Sequence, residues 1–125
     1  MAAASALLLL LLAGIRPVDS DRWLHVATAG EAEVYIDRSG VGKAGDMRVV
    51  WQKTVYPRMG SQGEAIVRAE YDCAQRTFIV TDYIFRERSG SLLDRRSVPP
   101  ANRRTSSAES DPRAAAVIEM VCALG

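Results

Sequence analysis

The sequence has few of the residues from which catalytic centres and metal sites are usually built. Its 125 residues include one histidine, His25, and two cysteines, Cys73 and Cys122. A Ser-His-Asp triad needs its histidine close to two partners, and a histidine-based metal site needs several ligands together. We therefore predict that the chain is not an enzyme and that it uses no cofactor and no metal.

Lysine is also scarce, because Lys43 and Lys53 are the only two among 16 basic residues. The formal net charge is +1, so no strong overall field favours nucleic acid or a membrane surface. Hydrophobic residues make up 48% and charged residues 25%, which is typical of a folded globular chain. A chain of this length is expected to form one domain.

Long hydrophobic runs are missing as well. Residues 6–15 are continuously apolar, but a transmembrane helix needs about 18 such residues or more. A run of this length near the start is typical of a signal peptide, although no lysine or arginine precedes it. We expect residues 1–20 to be the signal peptide, with cleavage near Ala13 or Gly14 as the alternative. Residues 21–125 would then form an exported domain without a transmembrane span.

Alternation of apolar and polar residues dominates the middle of the chain and predicts about six strands. The predicted strands are residues 23–28, 31–37, 47–56, 64–73, 76–85 and 91–97. The links between them are short, as expected for an antiparallel meander. Residues 39–46 are glycine-rich and residues 103–109 are rich in serine and arginine, so both are predicted to be loops, the second of them mobile.

The third predicted strand has two faces of different composition. Met47, Val49, Trp51 and Val55 share one face with Lys53, and Arg48, Val50, Gln52 and Thr54 share the other. In the fourth predicted strand the apolar face includes Cys73.

A helix is predicted at the carboxyl end. Asp111 and Pro112 are a favourable N-cap and first helical residue. Positions 114, 117, 118, 121 and 122 then form one apolar stripe that includes Cys122. Both cysteines thus lie on apolar faces. In an exported domain we expect them to form a disulfide rather than a metal site or a catalytic thiol. The predicted fold is α+β, an antiparallel sheet packed against one C-terminal helix and tied to it by this disulfide.

In several of its motifs the sequence resembles the surface-adhesin protein E-like family of exported bacterial proteins. The matching features are Trp23, Val34-Tyr35-Ile36-Asp37 with Ser39, Val49-Val50-Trp51, Tyr71-Asp72-Cys73-Ala74-Gln75-Arg76-Thr77, and the final helix with Cys122. The resemblance implies a location in the periplasm or on the outer-membrane surface. It also implies a module that binds host extracellular-matrix or plasma proteins. The alternative is a structural or accessory protein of the periplasmic envelope without a host ligand.

The arginines near the end of the predicted sheet form a candidate polyanion-binding stretch. They are Arg86, Arg88, Arg95, Arg96, Arg103 and Arg104. Guanidinium groups suit sulfates, phosphates and carboxylates, so the candidate ligands are a glycosaminoglycan, lipopolysaccharide or an acidic host protein. The alternative is a solvated sheet edge on which charges prevent aggregation. Nucleic acid is not expected, because stacking aromatics are absent here. The sequence does not indicate which oligomeric state the protein adopts.

Overall fold

A computed structural model describes residues 22–57 and 62–124 of the chain, so the predicted signal peptide lies outside the described residues. The described part contains eight β-strands, three short 3-10 helices and one α-helix, α1. The strands are β1 (Trp23–Ala29), β2 (Ala32–Asp37), β3 (Gly42–Ala44), β4 (Met47–Val55), β5 (Gln62–Asp72), β6 (Thr77–Glu87), β7 (Leu92–Ser97) and β8 (Ser106–Ser107). The 3-10 helices are Arg38–Gly40, Pro100–Asn102 and Ala108–Ser110, and α1 is Pro112–Ala123.

The strands form one antiparallel sheet in the order β1-β2-β4-β5-β6-β7. This order confirms the predicted six-stranded meander. Two short strands extend it: β3 pairs with the first residues of β4, and β8 pairs with the first residues of β6.

Both segments that the sequence predicted to be loops contain regular structure. Residues 39–46 include β3, which returns along β4 through a turn where Gly45 has a φ of +59°. Residues 103–109 include β8, and one residue of this segment packs into the core, whereas its mobility stays a prediction. Ala108 is fully buried, and its amide donates a 2.9 Å hydrogen bond to the carbonyl of Arg76.

The core lies between the sheet and α1. We call the side of the sheet that carries α1 the helix face and the opposite side the outer face. The buried cluster comprises Val34, Ile36, Val50, Ala69, Tyr71, Ala108, Ala114, Val117, Ile118 and Val121. The apolar stripe predicted for the helix therefore does face the sheet.

The Cys73–Cys122 disulfide joins the end of β5 to the last turn of α1, as predicted, with the two Cα atoms 5.9 Å apart. The turn that follows Cys73 is held by its own polar groups. The carboxylate of Asp72 accepts hydrogen bonds from two backbone amides of the turn. Arg76 has a left-handed φ of 55°, and its guanidinium bonds Glu109 and Glu119. These contacts fix the turn against both the final helix and the segment before it.

Candidate functional site

The six arginines of the candidate polyanion-binding stretch lie on both faces of the sheet. Directly opposed residues of paired strands share a face, and Ile84 pairs with Arg95 whereas Tyr83 pairs with Arg96. Ile84 lines a groove on the outer face, and Tyr83 lines a cleft on the helix face. Arg86 and Arg95 therefore lie on the outer face. On the other side of the sheet, Arg103 and Arg104 line the helix-face cleft and Arg96 lies nearby. Arg88 is exposed just beyond the end of β6.

These arginines also differ in their partners. Arg96 is ion-paired with Asp94 at 2.9 Å, and Arg103 donates to the carbonyl of Val98 at 3.0 Å. Within the described residues, Arg88, Arg95 and Arg104 have no carboxylate within ion-pair distance. The stretch therefore does not form one continuous patch, and part of its charge is free for an external ligand.

The outer-face groove combines cations with tryptophan. Its volume is about 460 Å³. It is lined by Arg22, Trp23, Trp51, Lys53, Glu64, Ile66, Ile84 and Arg86. The ammonium of Lys53 lies 4.7 Å from the ring centre of Trp23 and 5.2 Å from that of Tyr35. Such contacts are cation–π interactions.

Two cations of this groove are incompletely paired. Across the described residues, no carboxylate forms an ion pair with Lys53. The Nε of Arg86 is 3.9 Å from the Glu64 carboxylate, and that buried nitrogen makes no hydrogen bond within the described chain. The buried Nε is closed to a ligand, but the Arg86 side chain as a whole is 39% exposed and Lys53 also lines the groove. An acidic group that enters the groove would therefore meet both cations.

Acidic residues near the outer face are already engaged. Glu33 accepts hydrogen bonds from the Thr28 hydroxyl and contacts His25, and these bonds lower the pKa of the Glu33 carboxyl. Hydrogen bonds from the hydroxyls of Ser97 and Thr81 likewise lower the pKa of Asp82. Both carboxylates thus have partners of their own, and among the described residues the acid beside Arg86 is Glu64 rather than either of them.

The helix-face cleft is larger, with a volume of about 540 Å³. Its lining residues are Gln52, Thr54, Tyr56, Ala65, Val67, Phe78, Val80, Tyr83, Phe85, Val98, Asn102, Arg103, Arg104, Ser106, Asp111, Arg113 and Ala114. The rings of Tyr83 and Phe85 stack with their centres 5.9 Å apart. The cleft therefore has apolar and aromatic walls next to three arginines.

Polar groups of β4 and α1 also border this cleft. The Tyr71 hydroxyl donates a 2.5 Å hydrogen bond to the side-chain carbonyl of Gln52. Burial raises the pKa of Tyr71, which keeps this hydroxyl protonated and able to donate. Arg113 donates to the Tyr56 hydroxyl at 2.9 Å and also bonds Asp111. Arg113 thus links the start of the helix to the end of β4.

The sequence alone does not indicate a binding site at Trp51 and Lys53. Their alternation on one face of the third predicted strand was visible, but their proximity to Arg86 depends on the register of β4, β5 and β6. Within residues 22–57 and 62–124, no group of three or more His, Cys, Asp or Glu side chains could hold a metal ion. In the same ranges, no helix is both long and apolar enough to cross a membrane.

A curled antiparallel sheet, one disulfide-tethered helix and open grooves on both faces together define a small α+β domain. A family model described as surface-adhesin protein E matches residues 23–123. The chain belongs to this family, which is one of adhesins rather than of enzymes.

The fold is also similar to a solved structure, crystal form II of Haemophilus influenzae protein E. The TM-score is 0.59 at 14% sequence identity, and the match covers 82% of this chain and 88% of that one. At this identity the likeness shows the fold alone. A comparison with curated protein sequences finds no significant match.

Proposed function

We propose that the chain is a surface binding module whose outer face holds an acidic polysaccharide of the glycosaminoglycan type, as found in host extracellular matrix. The observation that carries this proposal is the outer-face groove, where Lys53 and Arg86 retain binding capacity between two tryptophans. Membership of an adhesin family supports a binding role. The flat indole faces offer apolar surface for sugar rings, and the cations suit sulfates and carboxylates.

The register of the sheet extends this site beyond the groove. Tyr35, Lys53, Ile66, Ile84 and Arg95 oppose one another in turn across β2, β4, β5, β6 and β7. With about 4.8 Å between neighbouring strands, Lys53 and Arg95 lie about 14 Å apart along this row. A polymer with repeated anions can contact both Lys53 and Arg95, whereas a single small anion cannot.

We expect the protein to be retained on heparin and to elute with salt, because screening weakens exposed ion contacts. Replacing Lys53, Arg86 and Arg95 by serine should remove most of this retention. The matched control replaces Arg96, Arg103 and Arg104 by serine, so that both variants lose three positive charges. The control should elute at a salt concentration close to that of the unmodified protein.

The two variants distinguish the outer face from charge alone. Equal losses of retention would show that heparin responds only to net charge, and a larger loss in the control would assign binding to the helix face. Either result would overturn the proposed site. Circular dichroism of both variants should show that the fold is retained.

An adhesin is exposed on the cell surface, whereas an accessory protein of the envelope stays in the periplasm, so the location of the chain distinguishes the two functions. We expect protease added to intact cells to cleave the protein, because an adhesin has to be exposed to its host ligand. A periplasmic protein with a known location serves as the control and should remain intact. Protection of the chain until the outer membrane is opened would favour the structural or accessory alternative.

A further inference from the structure

We propose that the helix-face cleft is a second binding site, which takes a small amphipathic acid: an apolar chain or ring system that ends in a carboxylate. This site lies on the opposite side of the sheet from the polysaccharide site. It does not depend on the proposed function.

The cleft exists because α1 covers only part of the helix face. The helix packs against β1 and β4, whereas Val67, Val80, Tyr83 and Phe85 on β5 and β6 are only partly buried and line the cleft. Apolar side chains on the core side of a sheet are normally covered. A volume of about 540 Å³ falls within the range of about 300–1,000 Å³ found for small-molecule sites. The apolar part of a ligand would cover these side chains.

Two polar side chains at the floor of the cleft point to an acid group. Thr54 is 5% exposed and Gln52 is 8% exposed, and both line the cleft. Gln52 uses its carbonyl oxygen to accept from Tyr71, which leaves its amide N–H groups as donors. Among the described residues, neither these N–H groups nor the Thr54 hydroxyl has a hydrogen-bond partner. Among the described residues, the buried side-chain atoms without a partner are Arg48 Nε and Arg86 Nε. The donors of Gln52 and Thr54 are not among them and are open to the cleft, where the oxygens of a carboxylate would accept hydrogen bonds from them.

The charge around the cleft favours the same ligand. Arg103, Arg104 and Arg113 line it together with one acid, Asp111, whose carboxylate is bonded by Arg113. Thr54 and Gln52 are two residues apart on one strand, so they lie about 7 Å from each other on the same face. Two neutral donors at the floor and excess positive charge at the rim are complementary to an anion and unfavourable for a cation.

Calorimetric titration with dodecanoate below its micelle concentration tests this site. We expect one dodecanoate to bind per protein molecule. Dodecyltrimethylammonium, which has the same chain and the opposite charge, should bind at least about tenfold more weakly. Butyrate, which has the same acid group but little apolar surface, should give no measurable binding. Equal binding of the two long-chain compounds, or no binding of dodecanoate, would overturn the proposal.

Substitutions inside and outside the helix-face cleft test whether dodecanoate binds there. Thr54→Val keeps the shape of the side chain and removes the hydroxyl, so we expect dodecanoate affinity to fall about fivefold to tenfold. Arg104→Glu should also weaken binding. Arg88→Glu makes the same charge change outside the cleft and should leave binding unchanged. Equal affinities for Thr54→Val, Arg104→Glu and the unmodified protein would exclude the cleft. Heparin retention of Thr54→Val should be normal, which separates this result from the polysaccharide proposal.

Discussion

Replacing both Cys73 and Cys122 by serine is expected to lower the free energy of unfolding by about 4 kcal/mol. The disulfide spans a sequence separation of 49 residues, and closing so long a loop removes many conformations from the unfolded chain. Total stability of a domain this size is about 5–15 kcal/mol, so the variant loses a large part of it. Urea denaturation followed by circular dichroism measures the change.

Reductant provides the control for this experiment. It should destabilise the unmodified protein to about the level of the double serine variant, and it should have no effect on the variant itself. If the unmodified protein has the same denaturation midpoint with and without reductant, the disulfide does not stabilise the fold as argued. Mass analysis that finds two free thiols before reduction would contradict the pairing itself.

The carboxyl-terminal half of the architecture could be predicted from local signals. The side chain of Asp111 accepts from the Arg113 amide and caps α1, as its position before Pro112 predicted. Cys73 and Cys122 could be placed because each fell on an apolar face of its own element. Signals of this kind lie within a few residues of one another, so they can be identified without knowledge of the tertiary fold.

The buried face of β4 could not be predicted in this way. Trp51 lies on the more apolar face of the strand, yet the structure turns it outward and buries Gln52 and Thr54 instead. The register with β5 places Gln52 opposite Val67, on the side that α1 covers in part. A distant hydroxyl, that of Tyr71, supplies the hydrogen bond that Gln52 needs in this position. Partners remote in sequence decide which face is buried.

In the candidate polyanion-binding stretch, the alternation of side chains along a strand predicts which arginines are separated but not which residues come together. Arg95 and Arg96 are neighbours in sequence and must point to opposite faces of β7, since successive strand residues alternate. That separation follows from the sequence once the strand is placed. The proximity of Arg86 to Lys53 and Trp51 does not follow, because it depends on how three strands are aligned.

Ile118→Ala is the second substitution with a large expected effect. Ile118 is fully buried on the stripe of α1 that faces the sheet. Truncation removes apolar contacts and leaves a cavity, so we expect a loss of about 2–5 kcal/mol. Thermal and urea unfolding measure it.

Leu124→Ala is the matched control, because it removes an aliphatic side chain just after the same helix. Leu124 is 48% exposed, so this change should stay within about 0.5 kcal/mol. Equal losses for Leu124→Ala and Ile118→Ala would contradict the packing of α1 on the sheet.

Ile118 and Cys122 are neighbours one helical turn apart, and residues in contact are not expected to act additively. Adding Ile118→Ala to the double serine variant should therefore cost less than the sum of the separate losses, because the untethered helix has already loosened around Ile118.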